Sequence, residues 1–350
     1  MDNLTHSLCG WTLARAGLNR GGRWVTPFLI VLANLPDLEP VLLPGRPPGA
    51  YLLYHRGLTH SVLMLVVDSI VFGALLWILE RRIQLPYWKA AGICAAGLFS
   101  HLLLDALNNY GVRPALPFDS TWYYGDMVFI VEPLIWLMFG LPLFLGSQLD
   151  RGSAAAWFAG AGLTTMLVGV GIGRNLMPWP VLLVWLGALG LAIGIRLRRQ
   201  LPSERCAQTG LLVLALYLIV LFTASRAALE RGKAELEAAI PGSNTGFVRA
   251  SVLPHPAQPW RYDVFVQTNT TLSQVSIDFL GTDTVVPGSV NLNLNDPALD
   301  TIRSTFEYRA WKCFARHPYA LRRGNVLILG DMRFKIRGSD WSALTIDVPN

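Results

Sequence analysis

Charged residues are scarce in this sequence. Only 15% of its 350 residues are Asp, Glu, Lys or Arg, whereas 52% are hydrophobic, and a soluble domain usually carries about a quarter charged residues. The composition therefore argues against an ordinary soluble protein and indicates a membrane protein. The net charge of +6 does not imply a nucleic-acid partner, because the basic residues lie mostly between apolar runs, as they do when they orient a chain in a bilayer.

Cysteine patterns and a recognisable targeting segment are also missing. The four cysteines (Cys9, Cys94, Cys206 and Cys313) are scattered without metal-type spacing, and we interpret them as packing residues outside any disulfide framework. The stretch MDNLTHSLCG lacks the basic region and the apolar run of a cleavable signal peptide. We therefore expect the membrane segments themselves to direct insertion.

Long apolar runs dominate the first two thirds of the chain. A spanning helix needs roughly 17 to 25 predominantly apolar residues. By this criterion the sequence predicts an α-helical polytopic membrane protein with about seven membrane segments, after an N-terminal helix at 4–18 that is too short and too mixed to span. The seven predicted segments are residues 28–43, 62–79, 89–107, 127–145, 154–172, 179–195 and 210–228.

The pattern changes near residue 232, and this change predicts two domains. Residues 1–232 form the predicted helical membrane domain, with every motif discussed below inside residues 1–140. Residues 233–350 begin with a polar juxtamembrane helix and continue as short alternating runs between Gly, Pro and Asn turns, which is the strand signal. We expect a small β-rich extramembrane domain there, in which His255 and His317 are ordinary surface or core residues.

The loop charges predict the orientation. Most basic loop residues fall on one side of the seven alternating segments, and only Arg46, Arg56, Arg113 and Arg174 fall on the other. Because Lys and Arg are enriched in cytoplasmic loops, the first side is predicted to be cytoplasmic. We therefore expect a multi-pass protein of the bacterial inner (cytoplasmic) membrane with a periplasmic C-terminal domain.

Ionisable residues inside these apolar segments are the strongest functional signal. Such residues are costly in a membrane and usually mark function. His101 and Asp105 are four residues apart, so a helix places them on one face. His55 and His60 are five apart and would diverge by about 140° on a helix, so we expect His55 in the preceding loop and His60 in the first helical turn.

Membrane depth brings the ionisable residues together. In the predicted topology Asp37, His55, His60, His101, Asp105, Asp126 and Glu132 all lie near the outer ends of their segments. His6 joins them if the N-terminal helix begins on the outer side and dips inward. Neutral imidazoles with carboxylates are ligands for Zn²⁺, or for Mn²⁺ or Fe²⁺ with more oxygens, and this set suffices for one or two ions.

Several of these residues also have an ordinary interpretation. Asp37 can turn or cap a helix after Pro36, and Glu132, directly before Pro133, can mark a helix start. Asp126 can be an interfacial carboxylate. Arg56 can extend to lipid headgroups, although beside His55 it can instead clamp an anionic substrate group.

Five motifs occurring in order resemble a known family. They are LTHSLCG (4–10), NLPDLE (34–39), HRGLTHS (55–61), SHLLLDALNNYG (100–111) and YYGDMVFIVEP (123–133). They resemble the bacterial inner-membrane proteins described as membrane-bound metal-dependent hydrolases, the YdjM-like family, over roughly residues 1–140. This resemblance implies metal-dependent hydrolysis with matching metal positions at His6, Asp37, His55, His60, His101 and Asp105.

A fainter likeness is to the zinc-dependent phospholipases C and related nucleases. The order Thr-His, Pro-Asp, His and then His-x-x-x-Asp is similar to their ligand pattern, and those enzymes cleave phosphodiesters. No further His and no His-x-x-x-Glu helix follow Asp105 before the predicted β-rich domain. The likeness therefore implies one or two metal ions instead of a three-zinc cluster.

We predict a membrane-bound hydrolase in which a divalent metal, most simply Zn²⁺, activates water for attack on an ester or phosphodiester. Asp126 is the predicted proton acceptor and Arg56 the predicted substrate contact, and the depth of the site suggests a lipid-linked substrate. Two alternatives remain open at this point. One is a metal or proton transporter, which the lack of acidic and His residues in 154–172 and 179–195 argues against; the other is a scaffold with a structural metal.

Overall fold

A computed structural model of the chain describes residues 1–42, 44–241, 246–281, 289–335 and 340–348. These residues form two compact units. The first unit consists of Met1–Pro36, His60–Ala224 and Pro254–Pro259. The second consists of Asp37–Thr59, Ser225–Leu253 and the described part of Trp260–Asn350.

The helices and strands follow the apolar pattern of the sequence. The helices are α1 (Asn3–Arg15), α2 (Val25–Leu32), α3 (Ala50–Tyr54), α4 (Val62–Leu79), α5 (Tyr87–Ala106), α6 (Pro133–Leu145), α7 (Arg151–Gly173), α8 (Pro180–Arg198), α9 (Ser203–Ala239), α10 (Ala298–Thr301), α11 (Phe306–Phe314) and α12 (Met332–Lys335). The strands are β1 (Arg249–His255), β2 (Gln258–Gln267), β3 (Thr271–Asp278), β4 (Val290–Asn291), β5 (Pro318–Arg323), β6 (Val326–Asp331) and β7 (Leu344–Asp347).

Five helices within the described residues are long and apolar enough to cross a membrane. They are α4, α5, α7, α8 and α9, and they confirm the predicted segments at 62–79, 89–107, 154–172, 179–195 and 210–228 as apolar helices. The predicted count of seven membrane segments is not confirmed. Helix α9 has 37 residues, so the predicted juxtamembrane helix is the continuation of a membrane helix.

The other two predicted segments are interrupted for reasons visible in the sequence. In 28–43, α2 ends at Leu32 and a 3₁₀ helix follows at Leu35–Leu42 with Pro40 inside it; proline lacks the N–H group that a continuous α-helix requires. In 127–145, helix α6 begins only at Pro133, with Glu132 as its N-cap. Its 13 residues extend about 20 Å, which is short of the bilayer core.

One end of the first unit carries most of its Arg residues. There the Gln208 side chain donates to the Ala16 carbonyl oxygen at 3.1 Å, Arg196 donates to the Ser147 carbonyl at 2.9 Å, and the Trp24 amide donates to Glu80 at 2.6 Å. These contacts join the end of α1 to the start of α9, the end of α6 to the end of α8, and the end of α4 to the start of α2. The end of α6 also lies against the start of α9, because a Cβ on Gly146 would be 2.6 Å from Ser203 Cα. We call this the basic end; it contains Arg15, Arg20, Arg81, Arg82, Arg151, Arg196, Arg198, Arg199 and Arg205.

The helices α1 and α6 begin at the opposite end of the first unit. The Asp2 amide donates to the Ile130 carbonyl at 3.1 Å, and the Gln258 side chain donates to the Leu176 carbonyl at 3.3 Å. Helix α1 therefore starts beside the loop before α6, runs to the basic end, and is followed by α2. This is the direction that the inclusion of His6 in the site requires.

The second unit contains the β-rich region predicted for the C-terminal part. Strands β1–β2–β3–β4 form one sheet in that order and β5–β6–β7 form another. Strands β2 and β3 pair antiparallel with Val264 opposite Val275. His317 is a core residue, as predicted, because its ring nitrogens lie 2.6 Å from Ser251 Oγ and 2.7 Å from Gln267 Oε1 and the residue is fully buried.

Candidate metal centre

Helix α5 supplies the centre of the site. His101 and Asp105 lie one turn apart on its buried face, and both are 0% exposed. His101 Nε2 is 3.6 Å from Asp105 Oδ2. The predicted i,i+4 pair is therefore present. It lies in the interior of the helix bundle, where most side chains are apolar.

His60 approaches the same carboxylate from the start of α4. It ends a short 3₁₀ turn, Leu58–His60, and Ser61 caps α4 by accepting the Met64 N–H group at 3.2 Å. His60 Nε2 lies 3.4 Å from Asp105 Oδ2 and 3.0 Å from His101 Nε2. His60 therefore lies in the 3₁₀ turn just before α4 and not in the first turn of α4, where it was predicted, and the side chain of Ser61 satisfies a free N–H group at the helix start.

Helix α1 contributes a third imidazole. His6 is fully buried, its Nε2 lies 3.4 Å from Asp105 Oδ1, and its ring stacks on that of His101 with centroids 4.0 Å apart. The amino group of Met1 also contacts Asp105 Oδ1. Both oxygens of Asp105 thus face nitrogen atoms, and three histidines from three different helical segments converge on one carboxylate.

The tautomer of His101 is set by the backbone of the segment after α2. His101 Nδ1 lies 2.8 Å from the carbonyl oxygen of Ala33. Because a carbonyl oxygen only accepts hydrogen bonds, Nδ1 carries the proton, and the neutral ring presents the lone pair of Nε2 towards His60 and Asp105. A second hydrogen bond that orients the ring in this way is characteristic of metal-ligating histidines.

Four residues have ligand atoms close enough to share one ion. One ligand atom from each of Asp37, His60, His101 and Asp105 lies within 4.8 Å of the other three. Ligands of a single ion with bonds near 2 Å lie about 3–4 Å apart, so these atoms need only a small contraction. Within the described residues this is the group of His, Cys, Asp and Glu side chains with metal-binding geometry.

The predicted ligand His55 has different neighbours. It is 8% exposed, its Nδ1 lies 3.6 Å from Glu39 Oε2, and its ring stacks on Tyr51 with centroids 4.5 Å apart. Glu39 also accepts the Gly57 N–H at 3.2 Å and bonds the Thr59 hydroxyl. Glu39 therefore holds the turn that carries His55, and His55 is not in the group of four.

Arg56 lies in the same turn and adopts an unusual backbone conformation. Its φ is 53° and the residue is buried. The next residue must be a glycine, because a Cβ on Gly57 would lie 2.4 Å from the Tyr54 carbonyl oxygen. Burial raises the pKa of Tyr51, with Arg56 opposing the shift and Asp37 and Glu39 adding to it, so these groups surround one tyrosine.

The predicted proton acceptor Asp126 is buried in the loop between α5 and α6. Its own φ is 55°, and its neighbours hold it against the end of α5. A Cβ on Gly125 would meet the Ala106 carbonyl oxygen at 2.6 Å, and the Met127 N–H donates to the Leu107 carbonyl at 3.0 Å. Asp126 is thereby fixed beside the residues that directly follow Asp105.

Glu132 has a structural role that the sequence indicated. It caps α6 by accepting the Leu134 N–H at 3.3 Å, and both of its oxygens accept the Ala257 N–H at 3.1 Å. Burial raises its pKa to about 7, against the effect of these N–H groups and with a contribution from Asp2. The interpretation of Glu132 as a helix start is confirmed.

Three groups that contact the predicted site residues were not predicted from the sequence. The Ala33 carbonyl and the Met1 amino group are backbone groups and carry no sequence signal. Glu39 lies two residues after Asp37 in the motif NLPDLE, so its carboxylate is visible in the sequence, but its contact with His55 is not.

The helices and the buried His–Asp group define a membrane protein with a possible metal-binding site. The chain belongs to the YdjM inner membrane protein family, whose model matches residues 1–228. It is also similar to the uncharacterized protein YfhP of Bacillus subtilis (strain 168), with 24% identity over 170 residues, 46% of this chain and 47% of that protein. The chain thus spans about half the length of this curated relative. No solved structure is significantly similar to it.

Proposed function

We propose that this protein is a membrane-bound metal-dependent hydrolase whose metal is held by His60, His101 and Asp105, with Asp37 and His6 completing the ligand set. The observation that carries the proposal is the convergence of three buried imidazoles on the two oxygens of Asp105. Ionisable groups at the end of apolar helices are retained when they have a function.

The donor set fits a divalent transition metal. Two or three imidazole nitrogens with one or two carboxylates are characteristic of Zn²⁺ sites, and additional oxygens favour Mn²⁺ or Fe²⁺. The proton on His101 Nδ1 leaves Nε2 as the donor atom. Five candidate side chains accommodate one ion with an open position, or two ions that share Asp105.

The chain itself supplies the other parts of a hydrolytic site. A bound metal would polarise the scissile ester or phosphodiester and make water more acidic. Asp126 takes the proton from the attacking water, and Arg56 binds an anionic group of the substrate. Both residues hold left-handed backbone conformations, which non-glycine residues adopt rarely and which are found preferentially at functional sites.

The site serves a lipid-linked substrate in the inner membrane. It lies at the end of the first unit away from the basic end, and positive loops are typically cytoplasmic, so we assign the metal centre to the periplasmic side. A substrate embedded in the outer leaflet of that membrane presents its ester groups at this depth.

A structural metal site is the second candidate, because one observation favours it. His6, His101 and Asp105 are 0% exposed and His60 is 1% exposed, and a closed four-ligand site is typical of structural zinc. A structural site predicts bound metal without turnover and with loss of thermal stability when the metal is removed.

The experiment is a hydrolysis assay on the purified full chain in vesicles of phosphatidylethanolamine and phosphatidylglycerol, with products separated by mass spectrometry. We expect products from the metal-loaded wild type and none after chelation. Asp126→Asn should lower kcat by about 10² to 10⁴, as loss of a general base does. Its matched control is Asp119→Asn, an exposed carboxylate in the same loop that bonds Thr121, which should be unaffected. Metal-loaded wild type that releases no product from any ester or phosphodiester bond would contradict the proposal.

A further inference from the structure

A large apolar groove runs along the first unit beside α1. Helices α1, α6, α7 and α8 enclose a cavity of ≈ 590 Å³, which lies within the roughly 300–1,000 Å³ typical of small-molecule sites. Its walls include the rings of Trp136, Trp157 and Trp185. From Trp136 to the last lining residue of α6, Phe144, the groove extends about 12 Å along the helix axis.

The polar atoms of two of these rings are already bonded within the protein. Trp136 Nε1 donates to Thr5 Oγ1 at 3.0 Å and contacts the Asp2 carboxylate at 3.2 Å. Trp185 Nε1 donates to Thr165 Oγ1 at 2.9 Å. The rings therefore present apolar faces to the groove, and the rest of its lining is mainly Leu, Phe, Ala and Gly. Such a lining favours a hydrocarbon ligand over a headgroup.

The space is left open by glycine. A Cβ added to Gly140, Gly160 or Gly190 would meet no atom within 4 Å, although all three line the groove. The groove is also continuous with the outer faces of α7 and α8, where Phe158 and Leu186 are exposed. In a membrane that surface is in contact with lipid chains, so an acyl chain can enter the groove from the side.

Helix α1 separates this groove from the candidate metal centre. Leu4 and Leu8 line the groove, while His6, on the opposite face of the same helix, contacts Asp105. The two sites are thus about one helix diameter, ~10 Å, apart. At the N-terminal end of α1, Met1 contacts Asp105 and Leu4 lines the groove, so the first residues of the chain border both sites.

We infer that the groove bordered by Trp136, Trp157 and Trp185 binds one acyl chain of a membrane phospholipid. If the protein is the hydrolase proposed above, its substrate is an acyl lipid that the groove holds by its tail, with the ester region at the N-terminal end of α1. This consequence for catalysis rests on the proposed function. The binding itself does not depend on metal or turnover.

The test is the phospholipid content of the purified full chain after detergent exchange, measured by native mass spectrometry. The groove is filled by Gly140→Leu with Gly160→Leu. The matched control is Gly169→Leu with Gly187→Leu, two glycines of α7 and α8 that also have open space but do not line the groove. We expect one phospholipid per wild-type and control chain, and occupancy reduced about tenfold in the filled variant, or ~1.4 kcal/mol.

Two results would overturn the inference. One is equal phospholipid occupancy in filled and control variants; the other is a wild-type dimer that only the filled variant loses, which would make a second copy the occupant. Far-UV circular dichroism checks that each variant folds, and Gly140→Ala with Gly160→Ala gives a milder filling. The His60→Ala, His101→Ala variant separates the two proposals, because it should keep the phospholipid even if the hydrolase proposal fails.

Discussion

At the scale of single residues, Asp105 is the position on which the site depends. It is fully buried, and nitrogen atoms from three histidines and from Met1 surround its two carboxylate oxygens. Uncompensated, a buried carboxylate is strongly destabilising, so its neighbours must supply positive charge, protons or a shared cation. This is the physical reason for regarding the group as a metal centre.

A pH dependence belongs to this scale. Burial raises the pKa of Glu132 to about 7, so the folded protein keeps a proton there that the unfolded chain loses near its usual pKa of about 4.3. Stability should therefore fall as pH rises from about 4.3 to 7 and level off above it. We predict that Glu132→Gln, which cannot ionise, reduces the drop in melting temperature between pH 5 and pH 8 in detergent. An identical drop in the variant and the wild type would show that Glu132 does not titrate in this range.

The site residues that could be predicted from the sequence were those whose residue type and spacing indicate metal binding. The i,i+4 pair His101 and Asp105 and the helix entry at His60 were predicted from spacing alone, and the structure brings them together. The carbonyl of Ala33 could not have been found, because every residue carries a carbonyl and only packing selects one. The pairing of His55 with Glu39 was equally hidden, since it depends on how the turn between them closes.

At the scale of elements, the close contact of α1 with α2 positions the site. A Cβ on Gly10 would lie 2.5 Å from the Leu29 carbonyl oxygen, so the two backbones touch at this glycine. Gly10 is one turn after His6, and Ala33 is one turn after Leu29. The contact therefore sets both His6 and the carbonyl that orients His101.

We predict that Gly10→Val separates these helices and lowers the free energy of unfolding by about 1–3 kcal/mol, the usual cost of overpacking, with reduced metal binding. The control is Gly92→Val in α5, where an added Cβ would meet nothing within 4 Å. Thermal unfolding and bound metal are compared for both variants. If Gly92→Val were as damaging as Gly10→Val, the general effect of valine in a helix would explain the loss.

Element boundaries followed from the sequence where apolar length decided them. The helix at 62–79 was predicted with its observed bounds, because Ser61 and the polar residues after Leu79 limit it. The segment 28–43 was predicted as a short membrane segment interrupted by NLPDLE, and the interruption is present: α2 ends at Leu32 and a 3₁₀ helix with Pro40 inside it follows. Helix α6 is shorter than predicted, since Glu132 caps it and Pro133 fixes its first turn.

At the scale of the whole molecule, the basic residues and the His–Asp group lie towards opposite ends of the first unit. The basic end contains nine Arg residues named above, and the His–Asp group lies towards the end where α1 begins. The segment Pro254–Pro259 belongs to that same end, through the bonds of Ala257 and Gln258. Composition could predict a helical and a β-rich part, but the assignment of residues 37–59 to the second unit depends on long-range packing that leaves no local pattern.

This arrangement predicts the membrane orientation. The background variant is Cys313→Ser, because the other three cysteines are buried. In this background, Ser120→Cys should react with a membrane-impermeant maleimide in spheroplasts. Gln200→Cys, at the basic end, should react only after lysis. Both positions are exposed loop residues, so access to the reagent is the variable. The reverse labelling pattern would place the candidate metal centre on the cytoplasmic side.

The metal content of the purified full chain tests whether the His–Asp group binds a metal. Three proteins are compared by elemental mass spectrometry after reconstitution with Zn²⁺, Mn²⁺ or Fe²⁺: wild type, the double variant His60→Ala with His101→Ala, and the control His255→Ala, which changes a histidine of β1. We expect stoichiometric metal in wild type and control and its loss in a folded double variant. A wild type that binds no metal, or a double variant that retains it, would show that these histidines do not form a metal site.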